Sequence, residues 1–127
     1  MNASRTAFFV SDRTGITAEM LGHSLLTQFE GVRLREITVP FIDSADKARE
    51  FVKQINDTGA RDGVRPIVIS TLVNTEIASI VATANALFLD SFEIFIAPLE
   101  KELGVSASHA VGRSHSAHDF ANYHHRI

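Results

Sequence analysis

Apolar residues fall along this chain in short dense runs, separated by stretches in which they recur every three or four positions. That is the pattern of strands alternating with helices. Ala7-Phe8-Phe9-Val10 is the first strand-like run, and the turn residues Ser11 to Gly15 close it. The following segment places Ala18, Leu21, Leu25 and Phe29 on one helical face. Val32 to Val39 mixes apolar positions with Arg33, Arg35 and Glu36 in an imperfect alternation, which suits a strand near a sheet edge. Asp43 or Ser44 can cap the next helix, whose inner stripe is read as Ala45, Ala48, Val52 and Ile55, with Gly59 as its stop. Pro66 to Leu72 contains the β-branched run Ile67-Val68-Ile69 and is the best central strand. Asn74 or Thr75 then caps a helix that turns Ile77, Ile80, Val81 and Ala84 inward. Ala86 to Leu89 is a fourth short strand. Phe92, Phe95, Ile96 and Leu99 form the last apolar stripe, in a helix that Pro98 is expected to kink or restart.

This alternation predicts an α/β fold: a mostly parallel sheet of about four strands, joined by right-handed crossovers, with helices on both faces. Such a Rossmann-like or flavodoxin-like sheet most often runs in the order 2-1-3-4 and holds its ligands at the carboxyl ends of the strands. The loops of interest are therefore Ser11–Thr17, Pro40–Ser44 and Ser70–Thr75. Residues 1–104 are expected to form the α/β domain. Residues 105–127 change character, becoming rich in Ser, Ala and His, and are read as a loop and the start of a helical tail. Phe120, Tyr123 and Ile127 are still in helical register where the sequence stops, with no cap or glycine after them. The reading therefore expects the natural protein to continue. Those apolar positions, left uncovered in a truncated fragment, would form a patch that invites association; the sequence does not fix an oligomeric state and leaves a homo-oligomer open.

Composition narrows the classes of function. A chain of 127 residues, 45% of them hydrophobic, can build one core of its own. A net charge of −3 argues against a nucleic-acid partner held through phosphates. With no cysteine, disulfides, thiol nucleophiles and iron–sulfur clusters are excluded. Met1 to Arg5 lack the apolar core of a signal segment and no run approaches membrane-spanning length, so a cytoplasmic location without a membrane partner is expected.

The loop Ser11-Asp12-Arg13-Thr14-Gly15-Ile16-Thr17 carries the most chemistry. Hydroxyls at Ser11, Thr14 and Thr17, the flexible Gly15 and the free amides of a helix start can hold a phosphate or carboxylate, and Arg13 can add a charge-assisted contact. The simpler reading is that Thr14 or Asp12 merely caps the helix. A flavin is disfavoured, because Asp12 would repel its phosphate and a chain with no Trp and one Tyr lacks aromatic walls. A response-receiver reading fails for want of an acidic cluster and of any lysine after Lys101. His109, His115, His118, His124 and His125 crowd the tail, yet with Asp119 the one nearby carboxylate no full metal ligand set is legible, and no metal is assigned. Ser114, His115 and Ser116 are adjacent in sequence, which says little about a nucleophile and its base. A phosphate loop of the Gly-x-x-x-x-Gly-Lys-Ser/Thr kind is absent, since none of Lys47, Lys53 and Lys101 follows a glycine or precedes Ser or Thr.

Three stretches together resemble a known family. They are the opening from Phe8 to Glu19 with Leu21-Gly22-His23-Ser24-Leu25-Leu26, the segment Ala97 to Gly104, and the closing Tyr123-His124-His125-Arg126-Ile127. The family is that of the phosphoenolpyruvate synthase regulatory proteins, relatives of the pyruvate, phosphate dikinase regulators. Arg13 stands where its members usually show a small residue. The resemblance implies the amino-terminal portion of a bifunctional serine/threonine kinase and phosphorylase. Such an enzyme phosphorylates a threonine of the synthase, or of the dikinase, with ADP, and removes the group by phosphorolysis that yields pyrophosphate. In the family the nucleotide-binding loop lies downstream of the Tyr-x-x-Arg-Ile stretch. The resemblance therefore places no catalytic residue and no cofactor in this chain, assigns ADP and phosphate to the full-length protein, and implies little activity from this piece alone. The alternative is a non-catalytic, flavodoxin-like anion- or nucleotide-binding module.

Overall fold

The sheet is built outward from β1 (Arg5–Val10), whose residues Ala7 to Val10 are at most 1% exposed. The structure is a computed structural model and describes residues 5–108. β1 pairs on one edge with β2 (Leu34–Val39) and on the other with β3 (Ile67–Ser70), which in turn pairs with β4 (Leu87–Asp90). All pairings are parallel and the order is β2-β1-β3-β4, the α/β arrangement that the alternation predicts. Helices α1 (Ile16–Leu26), α2 (Ala45–Asp62) and α3 (Thr75–Val81) make the crossovers, and α4 (Ser91–Leu103) follows β4 without a loop.

Successive β1 side chains point to opposite faces, so the sheet separates two cores. Phe8 and Val10 join Val68, with Phe51 and Ile55 of α2 and Val81 of α3, on one face. The Phe8 and Phe51 rings meet edge to face, 5.3 Å apart. The opposite face is thinner: Ala7, Phe9 and Ile69 pack with Ala18 of α1. Gly22 lets α1 lie directly on Phe9, because any Cβ there would collide with the Phe9 ring.

Several helical expectations change in detail. α2 does not stop at Gly59; it runs on to Asp62 and is capped by Gly63 in the left-handed conformation at φ 75°. Gly59 is small for a packing reason, since a Cβ there would sit 3.0 Å from Pro66 Cδ. The buried stripe of α2 is Ala48, Phe51, Ile55 and Thr58, with Ala45 and Val52 only half-buried. α4 is not restarted at Pro98, which lies inside one continuous helix. Leu25, Phe29, Phe95 and Leu99 are exposed, so the apolar stripes assigned to them have no cover among the described residues. The tail calls at His109, His115, His118, His124 and His125, at Ser114 and Ser116, and at residues 118–127 lie outside the described residues.

One polar cluster ties the amino-terminal ends of the strands to α2. Asp62, whose side chain is 6% exposed, accepts a hydrogen bond from Thr6 Oγ1 at 2.9 Å and lies near Arg61 and Arg35. The Thr6 hydroxyl above all, with both guanidinium groups, holds the Asp62 carboxyl below the usual carboxylate value, against the opposing effect of burial. Asp62→Ala should cost roughly 1–2 kcal/mol in urea unfolding at neutral pH. Because the folded-state value is depressed, that contribution is complete above about pH 4 and fades as pH falls through the lowered value, so the variant and the parent should converge in acid. On the opposite face, Gly22→Ala should destabilise by about 1–3 kcal/mol, the usual cost of overpacking a filled core.

Candidate functional site

β1 lies where the chain reverses its direction across the sheet. α1 leaves it toward β2 on one face, while α2 crosses the other face to reach β3. The carboxyl ends of β1 and β3 therefore diverge, which opens a crevice between their loops. A cleft of about 200 Å3 occupies that place, lined by all five candidate anion-binding residues, Ser11, Arg13, Thr14, Gly15 and Thr17. Thr71, Val73 and Phe92 close its other side. Two of the loops singled out by sequence, Ser11–Thr17 and Ser70–Thr75, thus meet. The third, Pro40–Ser44, does not line the cleft and instead braces it.

The bracing continues the strand ladders past their ends. Ser11 N donates to Val39 O at 3.0 Å, Phe41 N to Arg13 O at 2.8 Å and Ile42 N to Ser11 O at 2.9 Å. On the other side Thr71 N donates to Val10 O at 3.0 Å. Phe41 holds a left-handed backbone at φ 60° in the course of this, a conformation that costs a non-glycine residue about 1–2 kcal/mol. Asp12 is 6% exposed, and its Oδ2 accepts from Val73 N at 2.9 Å. It therefore staples the β1 loop to the β3 loop. Ser11 Oγ accepts from Arg13 N at 2.9 Å, which shapes the turn from inside.

Neither Thr14 nor Asp12 caps α1. Its N-cap is Gly15 at φ 89°, and no side chain accepts from the first-turn amides. The first intrahelical bond runs from Glu19 N to Gly15 O at 2.9 Å, so the amides of Ile16, Thr17 and Ala18 lie ahead of the ladder. The other three helices are capped by Ser44, Asn74 and Asp90. Gly15 is also sterically required, because a Cβ there would approach Thr38 Cγ2 to 2.7 Å. Among the described residues the cleft thus combines an uncapped helix start, the exposed Thr14 and Thr17, and one cation, Arg13, donors that suit a small anion, together with Asp12, whose Oδ2 accepts from Val73 N. The staple from Asp12 to Val73 was not legible in the sequence, because it joins residues 61 positions apart. Among the described residues no cluster of His, Asp and Glu could hold a metal, and no helix is long and apolar enough to cross a membrane.

The family model described as kinase/pyrophosphorylase matches residues 7–127. The chain belongs to the kinase/pyrophosphorylase family. Its relatives include proteins provisionally named phosphoenolpyruvate synthase regulatory protein. One from Pseudomonas putida is 54% identical over 123 residues, covering 97% of this chain and 45% of the relative. Those from Aromatoleum aromaticum and a Janthinobacterium species are 55% and 50% identical, covering 97% and 98% of this chain and 44% of each relative. The chain spans less than half the length of these relatives.

The loop staple gives a direct test. Asp12→Ala strands the Val73 amide and should cost about 1–3 kcal/mol in chemical denaturation, while Asp12→Asn, which keeps a carbonyl acceptor, should lose much less. Equal losses in the two variants would remove the staple from the account.

Proposed function

We propose that this chain is the amino-terminal portion of a cytoplasmic regulatory enzyme that switches phosphoenolpyruvate synthase, or the related pyruvate, phosphate dikinase, by reversible threonine phosphorylation. In the forward direction a phosphoryl group passes from ADP to the threonine hydroxyl, leaving AMP. In the reverse direction inorganic phosphate attacks the phosphothreonine and leaves as pyrophosphate. Membership of the kinase/pyrophosphorylase family and the names of the relatives support this reading. Within it, the cleft at Ser11, Arg13, Thr14, Gly15 and Thr17 is an anion contact for a phosphate group of the nucleotide or of the phosphorylated target.

The observation that carries the anion contact is α1, the one helix among those described whose first turn is left uncapped while it faces the cleft at the switch point. Transfer of a phosphoryl group depends mainly on positioning and charge stabilisation, which such amides supply together with Arg13. Among the described residues no lysine lines the cleft, and the sequence has no Gly-x-x-x-x-Gly-Lys-Ser/Thr loop; in this reading the phosphate cradle for transfer belongs to another segment. The alternative, a flavodoxin-like binding module without catalysis, shares the anion contact and dispenses with the transfer.

The test uses purified synthase with ADP and follows threonine phosphorylation. The 127-residue chain alone should give none, whereas a full-length relative should be active. Arg13→Ala combined with Thr14→Val in the full-length protein, both at exposed positions, should lower phosphorylation or its reversal roughly tenfold, the value of one charge-assisted contact. Unchanged rates in both directions would sink the assigned contact. Robust phosphorylation by the short chain would mean that it holds a nucleotide site of its own.

A further inference from the structure

Two buried polar side chains in the cleft each keep a hydrogen-bonding group open. Asp12 is 6% exposed; Val73 N engages its Oδ2, and no donor reaches its Oδ1 among the described residues. Ser11 is 5% exposed; its Oγ accepts from Arg13 N, and its hydroxyl proton has no acceptor among the described residues. Buried groups are seldom left in this state, because each one forgoes the bond it made to water. Both residues line the cleft together with the uncapped start of α1. Several donors thus surround one open carboxylate oxygen.

Net charge does not choose the ligand. Among the described residues, the side chains lining the cleft carry one positive charge, on Arg13, and one negative, on Asp12. A fully ionised oxyanion seated against the α1 amides would also set an oxygen toward Oδ1, two acceptors with no proton between them. An oxyanion that keeps a proton removes the conflict. Its O–H donates to Asp12 Oδ1, while its other oxygens accept from the α1 amides, Ser11, Thr14, Thr17 and Arg13. A terminal phosphate group can carry such a proton at neutral pH; sulfate and a phosphate diester have none to give.

We infer that Asp12 is a selectivity residue, which makes the cleft a site for a terminal phosphate group bound through its P–OH and turns away sulfate and diesters. This rests on the anion contact proposed above and adds the form in which the anion is bound. The size of the cleft agrees, since about 200 Å3 suits one phosphate group and is smaller than the roughly 300 Å3 at which pockets for whole small molecules begin.

The test is a titration of the 15N-labelled 127-residue chain at neutral pH, read from the amide shifts of Gly15 to Ala18. Inorganic phosphate should bind at least about tenfold more tightly than sulfate, the value of one hydrogen bond to a charged group. Asp12→Asn keeps an acceptor for Val73 N but can turn an N–H toward the ligand, so it should abolish that preference. Arg13→Ala, at an exposed position, should weaken both ions alike. Fluorophosphate has the shape of phosphate without its proton and should behave as sulfate does, a comparison that stands even if Asp12→Asn fails to fold. Parallel titrations with O-phosphothreonine and ADP identify which molecule bears the phosphate, and a diester should leave the shifts unmoved. Equal affinity for phosphate and sulfate would overturn the inference and leave the anion contact standing. A preference that survives Asp12→Asn, or tight binding of the diester, would also overturn it. No shift with any of these anions would remove the inference and the anion contact together.

Discussion

Because β1 is hydrogen-bonded along both edges, its side chains can leave water only if something packs on each face of the sheet, and the remaining elements follow from that demand. Phe8 and Val10 draw α2 and α3 onto one side, where Phe51, Ile55 and Val81 complete a large core. Phe9 and Ala7 draw α1 onto the other, where the fit is so close that position 22 must be glycine. The right-handed crossover then leaves no choice of topology: a helix on one face moves the chain to β2, and a helix on the other brings it back past β1 to β3. The divergence of those two connections is also what opens the cleft.

The same constraint explains why the cleft is made of main chain. The ladders run past the strand ends through Ser11, Phe41, Ile42 and Thr71, so the loop backbone is fixed before any ligand arrives. Asp12 spends its buried carboxylate on the Val73 amide and so fixes the two loops to one another. Gly15 takes the left-handed turn that starts α1 and leaves its first amides without a side-chain partner. Preorganised amides of this kind would lose little entropy on meeting an anion, which is the physical basis of the proposed anion contact.

The strands were legible in the sequence because a buried central strand is a dense apolar run and an edge strand is not, as Ile67-Val68-Ile69 and Leu34 to Val39 show; their order was not, and β2-β1-β3-β4 matches the usual arrangement for such a pattern. The candidate loop was legible for a related reason, since hydroxyls and a glycine between a strand and a helix have a short list of uses. What failed were inferences from single residues and from stripes. Gly59 resembled a helix stop, yet its smallness answers Pro66, while Gly63 four residues later holds the left-handed stop. Leu25 and Phe29 were at the right spacing to face a core, but periodicity reports that a face is apolar and not that anything covers it. The Asp12–Val73 and Thr6–Asp62 bonds join residues 61 and 56 positions apart, and no local pattern announces them.

α1 connects the two ends of the sheet. Its amino-terminal amides face the cleft, and its carboxyl-terminal Leu25 and Leu26 line an apolar groove at the other end of the sheet. Between them the helix is seated by two buried positions, Ala18 and Gly22, with Leu21 and Leu26 packed part-buried beside them. An eleven-residue helix behaves as a rigid rod, so whatever fixes its far end against the sheet also fixes the direction in which its first-turn amides point. The thin core beneath α1 and the open first turn of α1 are therefore parts of a single mechanical problem: how α1 seats on the sheet sets where the amides of the proposed anion contact point.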